Sequence, residues 1–153
     1  MFLSLIWSVI KDLFLAMSLG IIIGLERKII QGEAGMRTFS LISLGASLFM
    51  IIPRIFLVTY FKTLDLETIR MLMLIFGQII VGIGFLGAGV IIFQEREGKL
   101  KGLTTATVMW VTAAIGAGIG LQLYYISIIA TILVLLINII LLPIEKKIQE
   151  KIG

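Results

Sequence analysis

Residues 103–144 form a block of 42 consecutive residues without a charged side chain. A second uncharged block, residues 71–93, would measure roughly 34 Å as one helix, enough to cross a ~30 Å hydrocarbon core. The composition agrees, because 59% of the residues are hydrophobic, only 14% are charged and the mean hydropathy is +1.16. So few charges could not cover so large an apolar core in water. The chain is therefore predicted to be an integral membrane protein.

The apolar blocks predict an all-α, polytopic membrane helical bundle of about five transmembrane helices. The 42-residue block is twice as long as one span and should turn near residues 120–123. The second span is the weakest, because Pro53 and Arg54 shorten its apolar part. We expect a single transmembrane domain over residues 1–153, without a cleavable signal peptide or a C-terminal soluble domain. The predicted spans are residues 3–25, 38–58, 71–93, 103–120 and 124–143.

The distribution of Lys and Arg predicts the orientation. Nine of these residues flank one side of the predicted spans: Arg27, Lys28, Arg37, Arg96, Lys99, Lys101, Lys146, Lys147 and Lys151. Three flank the other side: Arg54, Lys62 and Arg70. By the positive-inside rule the N-terminus is expected outside and the C-terminus in the cytoplasm.

Small residues recur at helical spacing in three of the spans, which is typical of closely packed membrane helices. The prediction is that spans one, three and four form the interior, that the stripe in span one packs on span three or four, and that span five is peripheral. Helix packing is the favoured interpretation of these residues over close approach to a ligand. They are Ala16, Gly20 and Gly24 in span one, Gly82, Gly84, Gly87 and Gly89 in span three, and Gly116 and Gly120 in span four.

Several classes of function are disfavoured. The chain has no cysteine and no histidine, so thiolate metal sites and the commonest general base are excluded. Residues 82–87 match the GxGxxG pattern, but they lie inside an apolar span and not in the βαβ unit that a dinucleotide site requires. Basic residues scattered between apolar blocks do not indicate nucleic-acid binding. We expect neither an enzyme nor a cofactor, with Mg²⁺ left open.

Three polar residues in or beside the apolar spans are candidates for a functional or structural role inside the membrane. Asp12 is either a functional intramembrane acid or an interfacial residue that snorkels beside Lys11. Asp12 and Glu26 are 14 residues apart, so both fall within ~40° on one helix face. Both are weak candidates for a metal ligand. Gln78 is an intramembrane amide and is expected to hydrogen-bond between helices.

The predicted topology brings a second set of residues to the cytoplasmic side. A carboxylate among arginines beside helix N-termini could form ion pairs or hold an anion. We expect Glu26 to pair with Arg37 and the threonines to act as N-caps. The alternative is that the arginines only anchor the membrane interface. The predicted cluster is Glu26, Arg27, Arg37, Thr38, Thr104 and Thr105.

These motifs, in this order, resemble the MgtC/SapB family of bacterial inner-membrane proteins. They are Gly24-Leu25-Glu26-Arg27, Ala34-Gly35-Met36-Arg37-Thr38, Leu44-Gly45-Ala46, the stretch from Gly82 to Ile91, Gly102-Leu103-Thr104-Thr105-Ala106 and the stretch from Trp110 to Gly116. The resemblance implies a role tied to growth in low magnesium and, in pathogens, to survival inside host cells. It also implies action on other membrane machinery, including the ATP synthase.

The chain departs from the family pattern in three places. Many relatives continue into a cytoplasmic ACT-like domain, Leu74 stands where an arginine is frequent, and Phe39 follows the Arg-Thr pair where a histidine is frequent. The resemblance favours a regulatory protein of magnesium homeostasis that binds other membrane proteins, and a transporter of Mg²⁺ or another small ion is the alternative. The bilayer is the predicted environment, and a homo-oligomer is left open.

Overall fold

The computed structural model describes residues 2–30, 34–60, 65–94 and 102–152, which form five α-helices. The all-α prediction is confirmed. Four helices are long and apolar enough to cross a membrane, and α3 contributes a shorter apolar stretch, Gly77–Ile91, among its described residues. Lys62, Arg96, Lys99 and Lys101, which entered the charge count, lie outside the described residues. The helices are α1 (Phe2–Ile30), α2 (Met36–Tyr60), α3 (Leu66–Gln94), α4 (Leu103–Gly120) and α5 (Tyr124–Ile152).

The long uncharged block turns where it was predicted to turn. The backbone N–H of Leu121 donates to the carbonyl of Ala117 at 3.0 Å, and that of Leu123 donates to Gly118 at 2.8 Å. Gln122 takes a left-handed conformation with φ 64°, which is uncommon for a residue with a side chain. Three residues therefore suffice to reverse the chain between α4 and α5.

The second helix is longer and more continuous than the sequence suggested. α2 runs unbroken for 25 residues through Pro53, so the expectation that Pro53 and Arg54 weaken this span is wrong. Proline removes one backbone hydrogen bond but does not end a membrane helix where neighbouring helices enclose it. Pro53 is buried, and Arg54 is largely buried as well, at 14% exposure of its side chain.

The interior is formed by α1, α2 and α4, with α3 outside it, which corrects the prediction that span three is central. α2 has the most extensive contacts with both α1 and α4. Its buried face carries small side chains, Ser43, Ala46 and Ser47, which let both neighbours approach closely. The apolar core consists of Ala16, Leu19 and Ile23 from α1, Phe39, Ile42 and Ala46 from α2, and Val108, Met109, Ala113, Ile115 and Ile119 from α4.

Four glycines allow α2 to approach its neighbours. A Cβ on Gly20 would lie 2.5 Å from the Phe39 carbonyl oxygen, and one on Gly24 would lie 2.7 Å from the Cα of Met36. A Cβ on Gly116 or Gly120 would overlap the carbonyl oxygen of Ser43 or Ser47, respectively. These stripes are packed as predicted, and Ala16 is fully buried. However, Gly20 and Gly24 of the α1 stripe pack on α2 rather than on span three or four.

The glycines of α3 do not have the predicted packing role. Gly82, Gly84 and Gly89 are exposed, and a Cβ on any of them would meet no atom of the described residues within 4 Å. Gly87 alone of the four is buried, and its Cβ would lie 3.4 Å from that of Ala106 on α4. Glycine frequency therefore identified the wrong helix as central.

α5 is peripheral, as expected. Its surface exposes many large apolar side chains, including Ile126, Ile129 and Ile137. Polar side chains at spacings of four and seven residues, Ser127, Thr131 and Asn138, are buried against the bundle. Ser127 donates from its hydroxyl to the carbonyl of Ile115 on α4, at 3.1 Å.

Candidate functional site

Asp12 is the centre of a polar network inside the bundle. Its carboxylate is completely buried. Oδ2 accepts a hydrogen bond from Nη1 of Arg54 at 2.9 Å, and Oδ1 accepts one from the hydroxyl of Tyr124 at 2.6 Å. A membrane-embedded carboxylate is costly unless it is paired. Here both of its oxygens have donors.

Arg54 extends this network to a helix end. Nη1 also donates to the carbonyl of Gly120 at 2.6 Å. Gly120 is the last residue of α4, where the carbonyls have no partner within the helix. The four groups of this Asp12 network (Asp12, Arg54, Tyr124 and the Gly120 carbonyl) therefore join α1, α2, α4 and the first turn of α5.

Two contacts lie at the edge of the Asp12 network. Nζ of Lys11 stands 4.6 Å from the centre of the Tyr124 ring, within the range of a cation–π interaction. Nε2 of Gln122 donates to the hydroxyl of Ser8 at 3.0 Å. Lys11 is exposed while Asp12 is buried. The snorkelling interpretation therefore fails for the carboxylate.

Sequence reasoning missed Arg54 as the partner of Asp12. In the sequence Arg54 counts as a charge that flanks a span, and no contact between Tyr124 and the acid is predicted. An arginine within an apolar segment is itself a signal of a buried pair, since such residues in membranes face the protein interior and pair with one another. The two residues are 42 positions apart, so their contact required the fold.

Glu26 forms the second buried network, with Arg27 and Asn138. Nε and Nη2 of Arg27 donate to the two carboxylate oxygens at 2.8 and 2.5 Å, and the amide of Asn138 on α5 donates to Oε2 at 3.1 Å. Glu26 is 8% exposed and Arg27 is 3% exposed. Nη1 of Arg27 is buried and has no hydrogen-bond partner among the residues that the structure describes. This is the Glu26 network.

The predicted pair between Glu26 and Arg37 is wrong. Arg37 is exposed and makes no ion pair with any residue that the structure describes. The Glu26 carboxylate faces the bundle and is already bonded in bidentate fashion by its neighbour Arg27. Two adjacent residues can thus form a bidentate ion pair when both side chains point into the bundle.

The threonines are not N-caps. α2 begins at Met36, so Thr38 lies in its first turn, and α4 begins at Leu103, so Thr104 and Thr105 also lie inside the helix. Gly102 occupies the cap position of α4 with φ 88°, a conformation for which glycine is favoured. Thr105 is buried, whereas Thr104 and Thr38 are exposed.

The two networks lie at different depths along one face of α1. Asp12 and Glu26 are 14 residues apart, which is roughly 21 Å along a helix. Each carboxylate is held by an arginine and by a side chain of α5. Among the described residues there is no group of three or more acidic side chains that could surround a metal ion.

A groove between α2 and α3 contains the other predicted polar residues. Its volume is about 940 Å³, and Arg37, Thr38 and Gln78 contribute to an otherwise apolar lining. Gln78 is exposed and forms no hydrogen bond with the described residues, which corrects its expected role between helices. It therefore faces the groove rather than another helix's polar group.

Comparisons with known proteins agree with the sequence motifs. Protein SrpB of Synechococcus elongatus is 38% identical over 130 residues, which cover 81% of this chain and 69% of that protein. MgtC of Salmonella typhimurium is 38% identical over 147 residues, 95% of this chain and 58% of that protein. YhiD of Escherichia coli is 38% identical over 116 residues, 75% of this chain and 52% of that protein.

The chain thus spans little more than half the length of MgtC and YhiD. No solved structure matches it. The MgtC family model matches residues 13–147, a region that contains Asp12's partners Arg54 and Tyr124 and the whole Glu26 network. With this match and the relatives at 38% identity, the chain belongs to the MgtC family.

Proposed function

We propose that this chain is a multi-pass protein of the bacterial inner membrane that serves magnesium homeostasis by binding and regulating other membrane proteins. In this proposal it neither catalyses a reaction nor carries Mg²⁺ itself. Membership of the MgtC family supports the link to magnesium. The full name of the Escherichia coli relative YhiD describes that protein as a proposed magnesium transporter.

One observation carries the choice of regulation over transport. Both buried carboxylates of the bundle are paired with arginines, Asp12 with Arg54 and Glu26 with Arg27. Mg²⁺ binds protein sites through carboxylate oxygens and retained water. An arginine at each carboxylate places a positive charge where the cation would have to bind. Each pair would have to open before its acid could bind a divalent ion.

Transport is the second candidate, favoured by a buried acid within the membrane segment and by the name of YhiD. Purified protein in liposomes that contain a magnesium-sensitive dye separates the two. We expect Mg²⁺ entry at the rate of empty liposomes, both for the parent and for Asp12→Asn. Saturable entry in the parent that Asp12→Asn abolishes would establish transport and refute the regulatory proposal.

The link to magnesium has its own test. A bacterium that lacks its homologous gene should grow in low magnesium when this chain is expressed, and expression without rescue would contradict the magnesium role. The flux result does not depend on this growth result, so each part of the proposal can fail separately.

The proposed orientation places the N-terminus outside and the C-terminus in the cytoplasm. Arg54 is paired inside the bundle and so leaves the count of flanking charges, which becomes nine against two, Lys62 and Arg70. A reporter fused after Gly153 should be active only in its cytoplasmic form, and a periplasmic signal there would refute this topology.

A further inference from the structure

The groove between α2 and α3 is open because glycines line both of its walls. Gly45 on α2 and Gly82 on α3 both line it, and in the described part of the chain no atom lies within 4 Å of a Cβ placed on either. Large apolar side chains complete the walls, among them Leu41, Phe49 and Leu86. The result is an apolar groove of about 940 Å³ along the side of the bundle.

The length of the groove fits one leaflet of a bilayer. On α2 it extends from Arg37 to Phe49, and on α3 from Gln78 to Val90. Each of these ranges is 12 residue steps, or roughly 18 Å of helix. One leaflet contributes about 15 Å of hydrocarbon, whereas a transmembrane helix of a partner would need about 30 Å. The groove therefore matches an acyl chain better than a spanning helix.

The charge of the groove is confined to one end. Arg37 is exposed there and has no ionic partner among the described residues, and the hydroxyl of Thr38 lies beside it. Both residues belong to the first turn of α2, whose free backbone N–H groups favour an anion. The opposite end carries the neutral amide of Gln78. This arrangement is complementary to an anionic head group joined to an apolar tail.

We propose that this groove binds one acyl chain of an anionic phospholipid from the leaflet on the side of Arg37. The phosphodiester contacts the Arg37 guanidinium and the tail lies between α2 and α3 along Gly45 and Gly82. A bidentate guanidinium is suited to two phosphate oxygens. The bound lipid would fill the space between α2 and α3.

The groove arm of the test uses Gly82→Leu, with Gly84→Leu as its matched control. Both glycines are exposed on α3 with open space at Cβ, but only Gly82 lines the groove. Each protein is purified from membranes with equal phosphatidylglycerol and phosphatidylethanolamine, and bound lipid is counted by native mass spectrometry. We expect one retained lipid in the parent and in Gly84→Leu, and at least a fivefold loss in Gly82→Leu. Equal retention in all three would overturn the proposal.

The head-group arm uses Arg37→Gln, with Arg70→Gln as control, since Arg70 is also exposed but lies at the start of α3. The parent should retain phosphatidylglycerol over phosphatidylethanolamine by roughly tenfold, because both lipids carry the phosphodiester but the ammonium group of phosphatidylethanolamine is repelled by Arg37. Arg37→Gln should remove this preference and Arg70→Gln should keep it. An unchanged preference in Arg37→Gln would overturn the assignment of the head group. If Gly82→Leu instead converts a dimer into a monomer and leaves the amount of bound lipid unchanged, the groove is a contact between two copies of the chain and the lipid proposal is wrong.

Discussion

Removing the charge of Asp12 should destabilise the bundle, because Arg54 would then be buried without an ionic partner. Asp12 is fully buried and the Arg54 side chain is only 14% exposed, so water replaces little of the lost interaction. Loss of one partner of a buried pair costs about 3–5 kcal/mol. Arg54 keeps its hydrogen bond to the Gly120 carbonyl. We therefore expect Asp12→Asn to lower the free energy of unfolding by about 3 kcal/mol, the lower end of that range.

Removing both partners should cost less than removing Arg54 alone. The double variant Asp12→Leu/Arg54→Met leaves no buried charge, and apolar replacements of a whole buried pair are often neutral or stabilising. The Tyr124 hydroxyl and the Gly120 carbonyl each lose one partner, a penalty of about 1–3 kcal/mol per group at most. We expect the double variant to be more stable than the single variant Arg54→Met by about 1 kcal/mol or more.

The measurement is unfolding in mixed detergent micelles with increasing sodium dodecyl sulfate, followed by the fluorescence of Trp7 and Trp110. The control is Arg70→Gln, which breaks an exposed pair with Glu67 at 3.7 Å and should change stability by less than about 1 kcal/mol. Single variants as stable as this control, or a double variant no more stable than Arg54→Met, would refute the role assigned to the pair.

Three further predictions concern other parts of the chain. Gly116→Ala should destabilise the protein by about 2 kcal/mol or more, because the new Cβ would overlap the Ser43 carbonyl, whereas Gly84→Ala should be neutral in the same unfolding assay; equal effects would contradict the close approach of α4 to α2. Asn138→Leu should cost about 1.5 kcal/mol through the lost hydrogen bond to Glu26, and no loss would mean that this bond contributes nothing. The hydrogen bonds from Thr68 hold the pKa of Asp65 below its ordinary value, so its stabilisation of α3 is present above the unfolded-state pKa and is lost as pH falls through the folded-state pKa. Asp65→Ala should therefore lower the melting temperature at neutral pH and not in strong acid, and a loss independent of pH would contradict this reasoning.

The spans and the turn could be predicted because the bilayer imposes their length. An apolar run of about 20 residues has few alternatives to a membrane helix. For this reason the predicted bounds of span four, residues 103–120, coincide with those of α4. The predicted ends of the other spans fall short by up to nine residues, because helices continue past the apolar region into polar sequence, as α5 does beyond Pro143.

The arrangement of the helices could not be predicted from glycine frequency. Small size permits close contact but does not require it, and the exposed glycines at 82, 84 and 89 show the difference. The central helix α2 uses serines and an alanine for the same purpose, residues that a search for glycine overlooks. A search for all small residues at spacings of three and four would have ranked α2 beside α1 and α4.

The buried pairs were only half visible in the sequence. Asp12 and Glu26 stood out because acids are rare in apolar helices. Their partners did not, since Arg54 reads as the end of a span and Arg27 reads as a topology charge. The partner of each acid depends on which way the arginine turns, and that is decided by packing among helices far apart in the chain.

Two kinds of interaction hold this bundle together, the close packing of α1, α2 and α4 and the polar networks that join these helices to α5. In lipid, apolar side chains do not favour a neighbouring helix over an acyl chain, so position comes from close packing and hydrogen bonds. The α1, α2 and α4 core is set by close backbone contact at its glycines. α5 contacts α1 far less than α2 does. Its hydrogen bonds run from Tyr124 and Asn138 to the two acids of α1 and from Ser127 to α4. Loss of the α5 donors Tyr124 and Asn138 should thus loosen α5 while the glycine contacts of the core remain, whereas loss of Asp12 also breaks its pair with Arg54 on α2.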